Sequence, residues 1–409
     1  MNRVVITGMG TVNPIGNDIA SFEKNLFAGV CGIGPITRFD TENFKVKLAA
    51  EVKDFDPLRY YASAPEARRA DSYTQYAVAA ATEAVADSGI TDAVAPERFG
   101  VYVGSGIGGM NTFIAQTLAL ENRGPSRVSP LFIPMMISNM AAGAISMRFG
   151  AKGPSLPVVT ACATSNNTIG EAFRAIKHGY ADAIIAGGAE STITPLAVAG
   201  FDNMHALSES TDPARASIPF DAERNGFVMG EGATILILEE YEHALRRGAK
   251  IYAEIAGYGN TSDAHHITAP HPEAEGAAAA MKLAAEEAGI TGGAHMYINA
   301  HGTSTPMNDK TETLGIKKTF GDAAYQIHVS STKSMTGHML GATGATEAAA
   351  CVLALQKGKI PPTIHYEKED PECDLDYTPN TAVDADITCA LSNTLGFGGH
   401  NAVIALKKI

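Results

Sequence analysis

Cysteine is scarce: Cys31, Cys162, Cys351, Cys373 and Cys389 are odd in number and irregularly spaced. No CxxC pair and no Cys/His cluster along the chain suggests zinc, so no metal is expected, and a reducing compartment is the natural reading. No stretch approaches the roughly 18 apolar residues needed to span a membrane. The opening MNRVVITGMG has too short an apolar run after Arg3 for a signal peptide. The expectation is a soluble, cytoplasmic protein with no membrane partner. Charged residues make up only 18%, the formal net charge is −13, and no basic block stands out. A nucleic-acid partner is therefore excluded, and an acidic partner must dock on a local basic patch. What is present is 45% hydrophobic content and 41 glycines in 409 residues, the profile of a compact protein with room for two core-bearing units.

Residues 18–29 pattern as a helix and Arg3 to Thr7 as a short strand. Ala-rich Tyr73 to Ser88 reads as a helix, followed by Gly89-Ile90-Thr91 and the strand Gly100 to Val103. An internal echo follows. Ala86-Asp87-Ser88-Gly89-Ile90-Thr91 returns as Glu286-Glu287-Ala288-Gly289-Ile290-Thr291, each time ahead of a short strand and a Gly-containing loop. This predicts two similar α/β halves, residues 1–250 and 251–409, each with a mainly parallel sheet. The boundary falls near Lys250, after a helix predicted over 239–247, with no linker to mark it.

The loop Gly104-Ser105-Gly106-Ile107-Gly108-Gly109 formally matches GxGxxG. A dinucleotide site needs a strand about 20 residues on that ends in an acidic residue, and Asn111 to Glu121 patterns as a helix instead. Close backbone approach beside a site is the better reading of these glycines.

One stretch stands out, LPVVTACATSNNTIGEAFRAIKHGY over 156–180. Its first part reads as a buried strand, and from Ile169 the apolar spacing becomes helical. Cys162 falls at the junction, where unpaired N–H groups and the helix dipole favour a thiolate and a lowered pKa. A small buried hydrophobe is the other reading, and position alone leaves both open. Three later strand-to-loop junctions carry polar groups: His301-Gly302-Thr303-Ser304-Thr305, Lys333-Ser334-Met335-Thr336-Gly337-His338 and Gly396-Phe397-Gly398-Gly399-His400. A small-residue helix over Met339 to Gln356 follows the second. Ligands bind beyond the carboxyl ends of parallel strands, so these loops are placed to converge on Cys162.

The stretches VVITGMG, PFDAERNGFVMGEGA, SDAHHITAP, INAHGTSTPMNDKTE, SSTKSMTGHMLGATG and SNTLGFGGHNA together resemble the elongating, type II β-ketoacyl-[acyl-carrier-protein] synthases of the thiolase-like superfamily. The resemblance runs nearly end to end. It implies a homodimer of five-layered αβαβα subunits and a decarboxylating Claisen condensation of acyl- with malonyl-acyl-carrier protein. By that resemblance Cys162 carries the acyl group and His301 and His338 stabilise the enolate. Lys333, with Glu347, fixes the site electrostatically, and the N–H groups of Cys162 and Phe397 form an oxyanion hole. Phe397 gates acyl loading. Thr303, Thr305 and Thr268 bind the phosphopantetheine arm. Ile107, Phe132, Phe201 and Leu340 line the acyl pocket, Phe132 from across the dimer. Arg68, Arg69 and Arg127 meet the acidic carrier protein. No organic cofactor is implied, and whether a monovalent cation sits near Glu347 is left open.

Some positions depart from the family pattern. Ser165 and Asn166 stand where glycine and a small or apolar residue are common, His205 where relatives often have a docking arginine, and His265 in place of a common tyrosine. The rival readings are a polyketide ketosynthase using the same residues, a non-catalytic chain-length subunit, and a dinucleotide-binding oxidoreductase. The intact Cys–His–His set argues against the second.

Overall fold

The computed structural model describes all 409 residues. Two glycines in the first strand show how the layers are brought together. Strand β1 (Val4–Val12) is wholly buried, and a Cβ at Gly8 would lie 2.3 Å from the Ala84 carbonyl, one at Gly10 2.1 Å from that of Ala80. Only glycine lets the alanine-rich helix over Ser72–Ser88 press this close. The same device returns in the second half. Gly257 and Gly259, on the strand Ala253–Ser262, would meet the carbonyls of Ala284 and Ala280 at 2.2 and 1.9 Å. The helices of both contacts end on a left-handed glycine, Gly89 and Gly289. The sequence echo is thus a structural one.

In chain order the main elements are β1, α1 (Ile19–Phe27), α2 (Ser72–Ser88), β2 (Phe99–Gly104), α3 (Met110–Arg123), α4 (Met140–Phe149), α5 (Thr164–Lys177), β3 (Ala183–Glu190), α6 (Pro195–Asn203), β4 (Gly232–Glu240), β5 (Ala253–Ser262), α7 (Glu275–Ala288), β6 (Met296–Asn299), α8 (Pro306–Phe320), β7 (His328–Ser330), α9 (Thr343–Lys357), β8 (Cys389–Gly396) and β9 (His400–Lys407). The nine strands hydrogen-bond in the order β2-β3-β4-β1-β5-β9-β8-β6-β7. Read outward from the short β1/β5 seam (Val4↔Ile255 to Ile6↔Ala253), the two arms mirror each other. Each has two antiparallel pairings and then a parallel one, β2/β3 matching β6/β8, and the second arm adds a further parallel pairing, β6/β7.

This sheet is mixed, which corrects the expected mainly parallel one. β4 and β9 return beside β1 and β5 antiparallel to them, so the βαβ rhythm holds only for the outer strands of each arm. The helix predicted over 239–247 is also displaced: β4 continues to Glu240 and a short helix covers Tyr241–Arg246.

Helices α2 and α4 cover the outer face of the first arm, and α7 and α8 that of the second. Between the two arms lie α5 and α9, packed on strands of both. The result is five layers, αβαβα. The central pair explains its own composition: α9 is buried from Thr343 to Leu355, so it is built mostly of small and aliphatic residues, with Glu347 the one charged side chain. Both central helices begin at the same end of the sheet, and the site lies there.

Candidate active site

The predicted buried strand over Leu156–Ala161 does not form. Ser155 alone pairs, with Val101, and the side chains of Leu156 and Val159 are exposed. The segment is the outermost strand position of its arm, and within one chain nothing lies on its far side to complete a ladder. Ala161–Ala163 then makes a 3₁₀ turn ahead of α5, with Ala161 at φ +50°. A left-handed residue just before Cys162 is a strained elbow that turns the sulfur inward.

The sulfur is buried at the floor of a cavity of about 540 Å³. His338 follows the short helix Lys333–Thr336. Its Nε2 lies 3.1 Å from Cys162 Sγ and its Nδ1 3.0 Å from the Thr343 hydroxyl. His301 follows β6, its ring 5.3 Å from that of His338 and nearly perpendicular to it. A ligand atom from each of Cys162, His301 and His338 lies within 4.8 Å of the others. The His301 backbone is pinned from below: Glu312 accepts its N–H at 2.8 Å and that of Gly302 at 2.8 Å.

Burial holds both imidazoles well below the usual histidine range, and the nearby Lys333 ammonium pushes the same way. Both rings are neutral at physiological pH and can each donate one N–H. Burial also pushes the Cys162 thiol up, to about 12, against the pull of Lys333 and the Phe397 and Cys162 N–H groups. This corrects the expected low thiol pKa. The helix end lies two residues further on, and the loss of water outweighs the local positive groups.

Lys333 and Glu347 form a buried ion pair beneath the histidines, and burial pushes the Glu347 carboxyl up, to about 8. Glu347 Oε2, Asn299 Oδ1, Ser392 Oγ and Asn393 Oδ1 are buried with no hydrogen-bond partner. Asn299 and Ser392 are direct neighbours across β6 and β8. The Glu347, Asn299 and Ser392 oxygens are hard and unpartnered and fit a monovalent cation, whereas Asn393 points to the other face of β8, toward Met281 and Glu312. Asn299, Ser392 and Asn393 were visible in the motif stretches but carried no role there.

The cavity wall includes Ile107, Phe201, Leu340, Thr268, Thr303, Thr305 and Phe397. Thr303 and Thr305 hydroxyls are 2.9 Å apart. Phe132 is not on this wall. Phe397 sits 6.4 Å from Phe201, which packs at 5.4 Å on Phe227, which in turn packs at 5.3 Å on His338. Phe227, inside the PFDAERNGFVMGEGA stretch, connects the Phe397 loop to His338 through packed rings, a contact no spacing rule would reveal. The Phe397 loop is clasped from the other side: Gly398 N–H donates to Ile267 O and Asp263 N–H to Gly399 O, both at 2.8 Å.

Arg68, Arg69 and Arg127 are exposed and form no ion pair, and none of them lines the cavity. His205 is exposed at the cavity mouth, and His265 is exposed beside it, stacked edge-on against His271. Ser165 and Asn166 are buried. The Ser165 hydroxyl accepts the Ala345 N–H at 2.9 Å, and Asn166 donates to the Ser392 and Ala402 carbonyls at 2.9 and 3.2 Å. The first turn of α5 is therefore tied to α9 and to both strands of the Phe397 hairpin. In the glycine-rich loop, the Gly106 and Ile107 N–H groups donate to the Glu190 carboxylate at 2.9 and 3.3 Å. With those donors occupied the loop is no phosphate cradle, and the dinucleotide reading falls.

A cysteine, two neutral histidines and a buried lysine at the meeting point of two mirrored α/β arms define a condensing enzyme of the thiolase-like fold. The β-ketoacyl synthase N-terminal domain model matches residues 1–244 and the C-terminal domain model residues 252–367. The chain is 55% identical over 408 residues to the 3-oxoacyl-[acyl-carrier-protein] synthase 2 of Staphylococcus aureus strain N315, covering 99% of this chain and 98% of that protein. It is 51% identical over 408 residues to the enzyme of that name from Synechocystis, covering 99% and 98%. Among solved structures, the ishigamide ketosynthase/chain length factor superposes with TM-score 0.92 at 39% identity, over 100% of this chain and 99% of that one. A type II polyketide acyl-carrier protein in complex with its ketosynthase gives 0.91 at 34%, again over 100% and 99%. The chain belongs to the β-ketoacyl synthase family.

Proposed function

We propose that this chain elongates fatty acyl groups by condensing acyl- with malonyl-acyl-carrier protein. The observation that carries the reading is the convergence of Cys162, His301 and His338 within 4.8 Å at the floor of the cavity. Identity of 55% to a synthase of that name, against 34–39% to the polyketide ketosynthases, favours fatty-acid over polyketide elongation.

In the first half-reaction the Cys162 sulfur attacks the acyl thioester, with the Phe397 and Cys162 N–H groups facing the developing oxyanion. The carrier's phosphopantetheine thiol leaves and takes up the proton that Cys162 gives. In the second, the malonyl thioester oxygen sits between the His301 and His338 N–H groups. The bond to the carboxylate breaks, carbon dioxide departs, and its electron pair forms the enolate those donors stabilise. The enolate carbon attacks the Cys162 thioester, the sulfur is expelled and takes a proton from solvent, and the product is a 3-oxoacyl chain two carbons longer. A neutral ring suits this step, because it donates a hydrogen bond without surrendering a proton to the enolate.

Thr303 and Thr305, with Thr268, stand where the pantetheine arm enters, and Phe397 gates loading. A hard monovalent cation held by the Asn299, Glu347 and Ser392 oxygens would partner the free Glu347 oxygen and stiffen the floor. Thermal melts in potassium against a bulky organic cation read its binding as a rise in Tm. Arg68, Arg69 and Arg127 offer the carrier protein positive charge on an acidic chain.

We read the chain as two halves, 1–250 and 251–409, and the assembly as a homodimer. Exposed Leu118, Leu120, Ile133, Met147, Leu156 and Val159 lie on α3, α4 and the segments between α3 and α5, including the open sheet edge, which suits a second copy and would bring Phe132 to the partner's pocket. Light scattering should give twice the chain mass. The protein has no helix long and apolar enough to cross a membrane, and a cytoplasmic location fits its free cysteines.

The decisive experiment is intact-protein mass after mixing with a long-chain acyl-acyl-carrier protein, beside a Cys162→Ala control. An added acyl mass on the native chain alone is expected. A folded dimer that takes no adduct at several chain lengths overturns the reading.

A further inference from the structure

Glu190, the last residue of β3, is fully buried and has no cationic partner. Four donors surround its carboxylate, and they come from two separate loops. From the glycine-rich loop after β2, the Ser105 hydroxyl donates to Oε1 at 3.0 Å, the Gly106 N–H to Oε2 at 2.9 Å and the Ile107 N–H to Oε1 at 3.3 Å. From the loop ahead of α9, the Gly341 N–H donates to Oε2 at 3.1 Å. An ionised carboxylate accepts at about four sites, so the match of donors to acceptors is complete.

The two loops also touch directly. A Cβ at Gly341 would lie 2.4 Å from Gly106 N and 2.8 Å from Glu190 Oε2, and one at Gly106 would lie 2.8 Å from the same oxygen. Neither loop has room for a side chain to make this link, so the carboxylate makes it. Each loop delivers one apolar residue to the cavity wall beside Cys162, Ile107 from the first and Leu340 from the second. Leu340 is held at φ +47°, a left-handed conformation unfavourable for a leucine, and the bond from Gly341 to Glu190 anchors the next residue. A buried carboxylate with no counter-ion is itself costly.

We propose that Glu190 is a positioning residue for acyl-chain selection, clamping the Ile107 loop to the Leu340 loop and so fixing the width of the channel the acyl chain enters beside Cys162. The inference rests on the reading of this chain as a condensing enzyme. Long acyl chains must thread between the two apolar side chains, whereas short ones stop near the sulfur, so loosening the clamp penalises the long ones.

The test compares the native chain, Glu190→Gln and Ser105→Ala for the rate at which short-chain and long-chain acyl-acyl-carrier protein load Cys162, read by intact mass. Glutamine turns a donor toward backbone N–H groups and breaks part of the clamp. The long-to-short ratio is expected to fall about tenfold or more in Glu190→Gln and about threefold in Ser105→Ala, which loses a single donor. Circular dichroism and the melting curve establish that each variant is folded. If Glu190→Gln does not fold, Ser105→Ala decides. An unchanged or raised ratio in a folded variant, whatever the absolute rates, overturns the role of Glu190. A native chain that loads neither acyl group overturns the condensing-enzyme reading instead.

Discussion

His338 points its Nε2 at the Cys162 sulfur from 3.1 Å and holds the Thr343 hydroxyl at 3.0 Å on Nδ1. Assigning Thr343 as donor to Nδ1 leaves the ring proton on Nε2, in the space where a thioester oxygen must lie during decarboxylation. With both histidines held neutral by burial, the pair acts as two N–H donors and not as a charged acid.

His301→Ala should therefore lower malonyl-carrier decarboxylation by about a hundredfold or more, the usual cost of removing one oxyanion donor. Acylation of Cys162, which draws on the backbone donors of Phe397 and Cys162, should fall by far less. Carbon dioxide release and acyl-enzyme mass measured on the same variant separate the two steps.

Phe397→Ala should slow acyl loading more than it slows malonyl decarboxylation. The ring contacts Phe201 at the cavity wall, while the histidine donors stay supported by Glu312 and Thr343. Equal loss in both half-reactions would remove the gate.

Lys333 and Glu347 are buried together, and removing one partner leaves the other uncompensated. Lys333→Met alone should cost stability, about 3 kcal/mol on the scale of broken buried pairs. Lys333→Met with Glu347→Gln should recover much of that loss without recovering condensation. Urea melts and a condensation assay on both variants check this.

Glu83, largely buried, accepts the Thr11 and Ile19 N–H groups at 2.9 and 2.8 Å, and burial pushes its carboxyl up from 4.5 to about 7. Between those values the folded chain holds a proton that the unfolded chain releases, so this group's contribution to stability is present below about pH 4.5 and is lost as pH rises to about 7. Glu83→Gln lacks that dependence. The advantage of the native chain over Glu83→Gln should shrink by at most about 3 kcal/mol between about pH 5 and about pH 8, less whatever solvent screens. A constant gap across that range would contradict it.

The sequence by itself determined several of the helices, the duplicated halves' shared turn, and the motif stretches that hold Cys162, His301, Lys333, His338 and Phe397. These are local matters: apolar period, glycine caps and residue type at strand ends. The tertiary structure decided what no local pattern encodes. Strand direction in the sheet depends on where β4 and β9 return, which is a long-range pairing. The thiol's pKa followed burial, because desolvation depends on everything around the sulfur and not only on the helix behind it. Glu190 reads in the chain as one acidic residue after a strand. Only folding brings Ser105, Gly106, Ile107 and Gly341 to its carboxylate and sets the glycine-rich loop on the wall of the cavity above Cys162.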